Sequence, residues 1–184
     1  ILSVNGRSEA DRYTSNLSNA LLLLAATIAF FVLALTQPIV KVFASGFTGE
    51  TLALAVRLTR ISVFGLFFTG IVNMFTGYLR LHGNFIVPAL VGFPMNLVGI
   101  LSLVVSARTS IYLLAVGSVA ATASQLLLCV PFLRKTGYRH GLILDFQAGY
   151  MKEMVLIALP VIAGTAVSEV NILVDRTLAS QIAV

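Results

Sequence analysis

Five long apolar runs divide this chain, at about 17–35, 51–78, 85–107, 110–133 and 150–180, and they constrain its fold more than any motif does. A membrane-crossing helix uses about 20 mostly apolar residues, because without water every backbone polar group must be satisfied inside the segment. Hydrophobic residues make up 58% of the 184 positions, about 107 side chains or roughly five helices' worth. Only 10% of residues are charged, against about a quarter in a soluble domain. The expected class is all-α, a polytopic membrane helix bundle with little left over for a soluble domain. A soluble enzyme, a nucleic-acid binder and a disordered tail are excluded at this level.

The first run follows a polar, charge-mixed segment (3–16) and stops at Thr36-Gln37-Pro38. A short amphipathic stretch (39–45) leads to a glycine-rich break at 46–50, where Thr48 is placed to cap the second helix. Pro88 and Pro94 in the third run each remove a backbone hydrogen bond and predict a kink. In the fourth, Gly117, Ser118, Ala121 and Ser124 suit close helix contact, and Asn73 and Asn96 read as interhelical hydrogen-bonding groups. His82 and His140 fall in loops with no second ligand at metal spacing, and Cys129 sits in an apolar run as a core residue. The chain starts without Met and stops without a polar tail, which predicts a piece of a longer protein.

The net charge of +5 reads as loop bias. Arg7, Arg12, Arg80, Arg134, Lys135, Arg139 and Lys152 fall on one side of the alternating runs, against Lys41, Arg57, Arg60 and Arg108 on the other. The positive-inside rule then puts the leading end in the cytoplasm and sends the fifth run from cytoplasm to exterior.

The chemistry concentrates in that fifth run. Ser168, Asn171 and Asp175 share one helical stripe, extended by the small residues Gly164 and Ala179, and Thr165, Glu169 and Arg176 form an adjacent one. Val167, Val170 and Val174 make the apolar back. Ionisable groups at membrane depth cost about 2.5 to 3.5 kcal/mol each on insertion scales, so they must line water or pair with protein. Two readings stand. In one, this sector borders a hydrated cavity, with Asp175 and Asn171 offering oxygens to a coupling cation and Arg176 meeting a substrate phosphate. In the other, Asp175 and Arg176 lie in the outer interface and form ordinary salt links or snorkel. Arg57 and Arg60 likewise either gather phosphate at a membrane face or anchor their helix at lipid headgroups. Nucleophile-elbow, phosphate-loop and zinc-protease signatures are missing from the sequence, so no catalysis and no resident cofactor are expected. Kinked helices with polar midplane faces are what transporters use.

Several strings carry a resemblance. They are Ala44-Ser45-Gly46-Phe47-Thr48-Gly49-Glu50 followed by Leu58-Thr59-Arg60-Ile61, Gly83-Asn84-Phe85-Ile86-Val87-Pro88-Ala89-Leu90 with Asn96-Leu97, and Pro131-Phe132-Leu133-Arg134-Lys135-Thr136-Gly137-Tyr138. The last set is Leu159-Pro160 with Ser168-Glu169-Val170-Asn171 and Val174-Asp175-Arg176-Thr177-Leu178-Ala179-Ser180. In order and spacing they resemble the MurJ/MviN lipid II flippase family of the multidrug/oligosaccharidyl-lipid/polysaccharide exporter superfamily, over essentially the whole chain.

The resemblance implies a multi-pass protein of the bacterial inner membrane with about fourteen helices, working by alternating access, of which these would be the third through the seventh. It implies movement of lipid-linked peptidoglycan precursor between leaflets, driven by membrane potential or by a sodium or proton gradient. Other cell-wall synthesis proteins are the implied partners besides membrane lipids. Asp175 matches an acidic position that contributes to a sodium site in some members, while other members have a non-acidic residue there. The arginines that hold the substrate pyrophosphate belong to the first, second and eighth helices, and Arg176 is not equivalent to them. The alternatives are an exporter of drugs or another polyprenyl-linked glycan, and a non-transporting scaffold for cell-wall enzymes.

Overall fold

The computed structural model describes residues 7–147 and 149–182. Residues 3–6 of the polar leading segment and the side chains of Arg7 and Ser180 lie outside that description. The chain is 83% helical, with no strand among the described residues. Its helices are α1 (Arg7–Ala34), α2 (Thr36–Phe43), α3 (Gly49–Ser62), α4 (Gly65–Leu81), α5 (Ile86–Leu90), α6 (Gly92–Ser106), α7 (Ile111–Lys135) and α8 (Gly149–Ile182). Taken by length and apolarity they make five membrane crossings, with α3–α4 and α5–α6 each forming one broken crossing.

The breaks have local causes. Pro94 has no N–H for the Leu90 carbonyl, so the third crossing is interrupted at Val91, as the proline spacing predicts. Pro88 does no such damage, because it is the third residue of α5, where its N–H would have no intrahelical partner. The second crossing was expected to be one helix and instead divides at 63–64, where Phe64 donates to Ile61 and Leu66 to Val63 in tight turns just before Gly65. Ser110 caps α7, its hydroxyl accepting from the Tyr112 N–H at 3.3 Å. Thr48 holds the N-cap position of α3 but makes no side-chain cap bond, and Gly49 follows with φ +54°. The first helix starts ten residues before the apolar run, since nothing in 7–16 breaks it and Asp11, Ser15 and Asn16 find partners described below.

Packing centres on α7. Its small residues Gly117, Ala121 and Ser124 are buried, whereas Ser118 is exposed and bonds its own turn. A Cβ at Gly117 would collide with the Ser102 side chain of α6, and this close approach sets the most extensive helix pair in the bundle. Near the other end, Val72, Tyr78, Leu79, Val87, Cys129 and Leu133 form the buried core shared by α4, α5 and α7. Asn73 and Asn96 form no side-chain hydrogen bond among the described residues.

Contacts between distant elements confirm the alternation of the crossings. The head of α1, the tails of α4 and α7 and the head of α8 meet at the basic end. The tail of α1, α2, the head of α3, the head of α7 and the tail of α8 meet at the opposite end.

Candidate functional site

The polar sector of α8 stands clear of the bundle. Every residue from 159 through 172 is exposed, on the valine back as well as on the Ser168 and Asn171 stripe. Ser168, Glu169, Asn171, Asp175 and Arg176 are all exposed too. Among the described residues, Glu169, Asp175 and Arg176 form no ion pair, and no group of three acidic or metal-binding side chains gathers near them. Asn171 and Asp175 are four residues apart, one helical turn, so their Cα atoms lie about 6 Å apart along the axis. That places two oxygen donors of the kind a hard cation takes, with the rest of a ligand shell to be supplied from elsewhere.

At its far end α8 returns to the bundle and makes its main helix contact, with α2. The Thr177 hydroxyl reaches the Phe43 carbonyl at 3.3 Å while also bonding Leu173 in its own helix at 2.8 Å. Arg176 lies on the rim of an apolar groove of about 720 Å³, lined by Val32, Val40, Phe43, Phe47 and Thr59. This separates Arg176 from Asp175: sequence neighbours 100° apart on a helix face different surroundings.

Arg57 and Arg60 diverge in the same way. The Arg57 guanidinium donates to the Tyr112 hydroxyl at 3.2 Å, and with Glu50 these residues line a concavity of about 470 Å³ at the heads of α3 and α7. Arg60 turns towards the α1–α2 junction and donates through Nε to the fully buried Thr36 hydroxyl at 3.4 Å. The two arginines therefore do not converge on one anion.

A second polar assembly, at the basic end, escaped the sequence reading. Asn16 is fully buried, and its amide pairs with the backbone of Asp145: Nδ2 donates to the carbonyl at 2.8 Å and Oδ1 accepts from the N–H at 2.7 Å. Asn16 Nδ2 also donates to the Tyr150 hydroxyl at 2.8 Å. One turn on, Asn19 Nδ2 donates to the carbonyls of Gly141 at 2.9 Å and Ile143 at 2.8 Å.

With both Asn19 donors so used, its oxygen must accept from His140 Nε2 at 3.1 Å, which leaves Nδ1 to accept from the Tyr138 hydroxyl at 3.0 Å. Ser15 then donates to Tyr138 at 3.3 Å and accepts from the Gly141 N–H at 3.0 Å, closing a ring of hydrogen bonds. Burial pushes the Tyr138 phenol above its ordinary pKa, and the nearby Asp11 carboxylate adds to this, so it stays a donor. The loop between α7 and α8 is thus fastened to α1, and the direction in which α8 leaves the bundle is set there. The visible signal was Ser15, Asn16 and Asn19 on one face at the entry to an apolar run, with Tyr138 and His140 two residues apart.

Comparison with known families matches residues 3–184 to the family described as Lipid II flippase MurJ. The chain belongs to this family. Comparison with curated proteins gives no match. MurJ-family proteins are flippases, not enzymes, and act on a lipid-linked substrate. A multi-pass membrane protein is what the five crossings require.

Proposed function

We propose that this chain forms part of a lipid II flippase of the bacterial inner membrane, moving lipid-linked peptidoglycan precursor from the cytoplasmic to the periplasmic leaflet by alternating access. The observation that carries the reading is α8. A helix apolar enough to cross a bilayer holds Ser168, Glu169, Asn171, Asp175 and Arg176 exposed along its outer half. Facing lipid these groups would cost several kcal/mol, on the order of 2.5–3.5 for each charge. Bordering a hydrated path they give polar groups to a substrate headgroup and oxygens to a coupling ion.

Asp175 and Asn171 are proposed as ligands of sodium, and Glu169 with Arg176 as polar lining of the path. In the intact protein, depletion should trap lipid II on the cytoplasmic face and weaken the wall; unchanged flipping after depletion would end the flippase reading. Asp175→Ala should lower sodium-dependent transport while the protein still folds, and an unaltered sodium dependence would remove Asp175 from the coupling site.

A further inference from the structure

The loop fastened to α1 has a second face. Alternate residues Gly141, Ile143 and Asp145 give their backbone to Asn16 and Asn19, which turns Leu142, Leu144 and Phe146 outward. Those three are 96%, 50% and 60% exposed, a row of large apolar side chains at the basic end, where a soluble surface would carry polar ones.

Beside that row two arginines converge from opposite parts of the chain. Arg12 of α1 and Arg139 of the loop line one concavity of about 610 Å³, with Asp11, Gly137 and Ile143. Both arginines are exposed, and among the described residues neither guanidinium has a hydrogen bond or an ion pair. Asp11, by contrast, is engaged, since its carboxylate accepts from the Tyr78 hydroxyl. Gly137, at φ +79°, allows the sharp turn that brings Arg139 back over α1. Arg12 precedes Leu17, the first residue of the apolar run, by five positions, about 7.5 Å of helix. With the hydrocarbon boundary at Leu17, the Arg12 backbone would sit at the outer edge of the polar headgroup layer, about 5–7 Å deep, within side-chain reach of lipid phosphates.

We propose that this concavity holds the phosphodiester of an anionic glycerophospholipid from the leaflet at the basic end, between Arg12 and Arg139, while Leu142, Leu144 and Phe146 dip into the acyl layer beside it. Charge complementarity selects this occupant. Two guanidinium groups less the Asp11 carboxylate leave one net positive charge, which matches a phosphodiester and falls short of a pyrophosphate. The hydrogen-bond ring fixes the backbone on both sides of Arg139 before the lipid arrives, so little main-chain ordering is lost on binding.

The test is native mass spectrometry of the intact protein released from nanodiscs of mixed phosphatidylcholine and phosphatidylglycerol. The protein should retain phosphatidylglycerol selectively. Arg12→Gln and Arg139→Gln should each lower that selectivity about fivefold, the equivalent of ~1 kcal/mol for a basic residue at an anionic membrane surface. Arg12→Lys and Arg139→Lys, which keep the charge, should retain most of it and report that the fold is intact. Arg134→Gln with Lys135→Gln, in the last turn of α7 and outside the lining of the concavity, should change little. Full selectivity in the Arg12→Gln/Arg139→Gln protein overturns the proposal, and so does an equal loss in the Arg134→Gln/Lys135→Gln control. Displacement of phosphatidylglycerol by an equimolar polyprenyl pyrophosphate also overturns it, by assigning the concavity to the substrate's headgroup.

Discussion

Helices α7 and α8 are both long and apolar enough to cross a membrane, yet they have opposite fates. Along α7, Ala115, Gly117, Ala121, Ser124, Gln125, Cys129 and Leu133 are buried, whereas α8 is exposed without interruption from 159 through 172. Apolarity alone therefore settles that a helix enters the bilayer and says nothing of what it packs against. In lipid the tails are as apolar as leucine, so association depends on close backbone approach and on polar groups finding partners. Helix α7 has both: Gly117 against Ser102, and Gln125 donating to the Met95 sulfur at 3.1 Å. Helix α8 has the same kinds of residue in Gly164, Ser168 and Asn171, with no partner for them among the described residues. Its polar stripe is available to substrate, ion or further helices because nothing in this bundle occupies it.

The contrast can be broken most strongly at the point where α8 begins. Asn16→Leu removes three hydrogen bonds and strands the Asp145 N–H and C=O. At about 1–3 kcal/mol for each buried polar group left unpaired, the loss should reach roughly 2–5 kcal/mol, read as a drop in the midpoint of denaturant unfolding in micelles. Next comes Gly117→Leu, whose side chain must displace Ser102 and should cost about 1–3 kcal/mol by overpacking. The matching change in α8, Gly164→Leu, meets nothing within 4 Å of its new Cβ and should alter the stability of this bundle by under about 0.5 kcal/mol. Equal losses at the two glycines would mean that α8 is packed after all. Thr177→Val removes the bond to Phe43 and should cost at most about 1 kcal/mol, measured as looser spin-label distances between α2 and α8.

Much of the fold was legible in the sequence because its causes are local. Apolar run length places the crossings, Pro94 explains the interruption at Val91, and the small residues of 117–124 mark the tight interface, apart from Ser118. The break at 63–64 was not legible, since no proline or polar cluster announces it. The candidate site was legible in composition and illegible in surroundings. Helical spacing put Ser168, Asn171 and Asp175 on one stripe, but it could not say that Arg176 turns to the groove beside Phe43 and Val40. Arg57 and Arg60, three residues apart, invited a shared anion, and packing gave them Tyr112 and Thr36 instead.

The sequence by itself determined the class of this protein, an all-α chain with five crossings, the side on which its basic residues gather and, through its strings, its family. The class and the crossings follow from solvation: the bilayer rejects unsatisfied backbone and unpaired charge whatever the neighbours are. Only the tertiary structure decided that Asn16 reads the backbone of Asp145 across 129 positions, that His140 links Tyr138 to Asn19, and that Arg12 and Arg139 line one concavity. A hydrogen-bond partner so far along the chain is chosen by how helices pack, and periodicity within one helix carries no record of it.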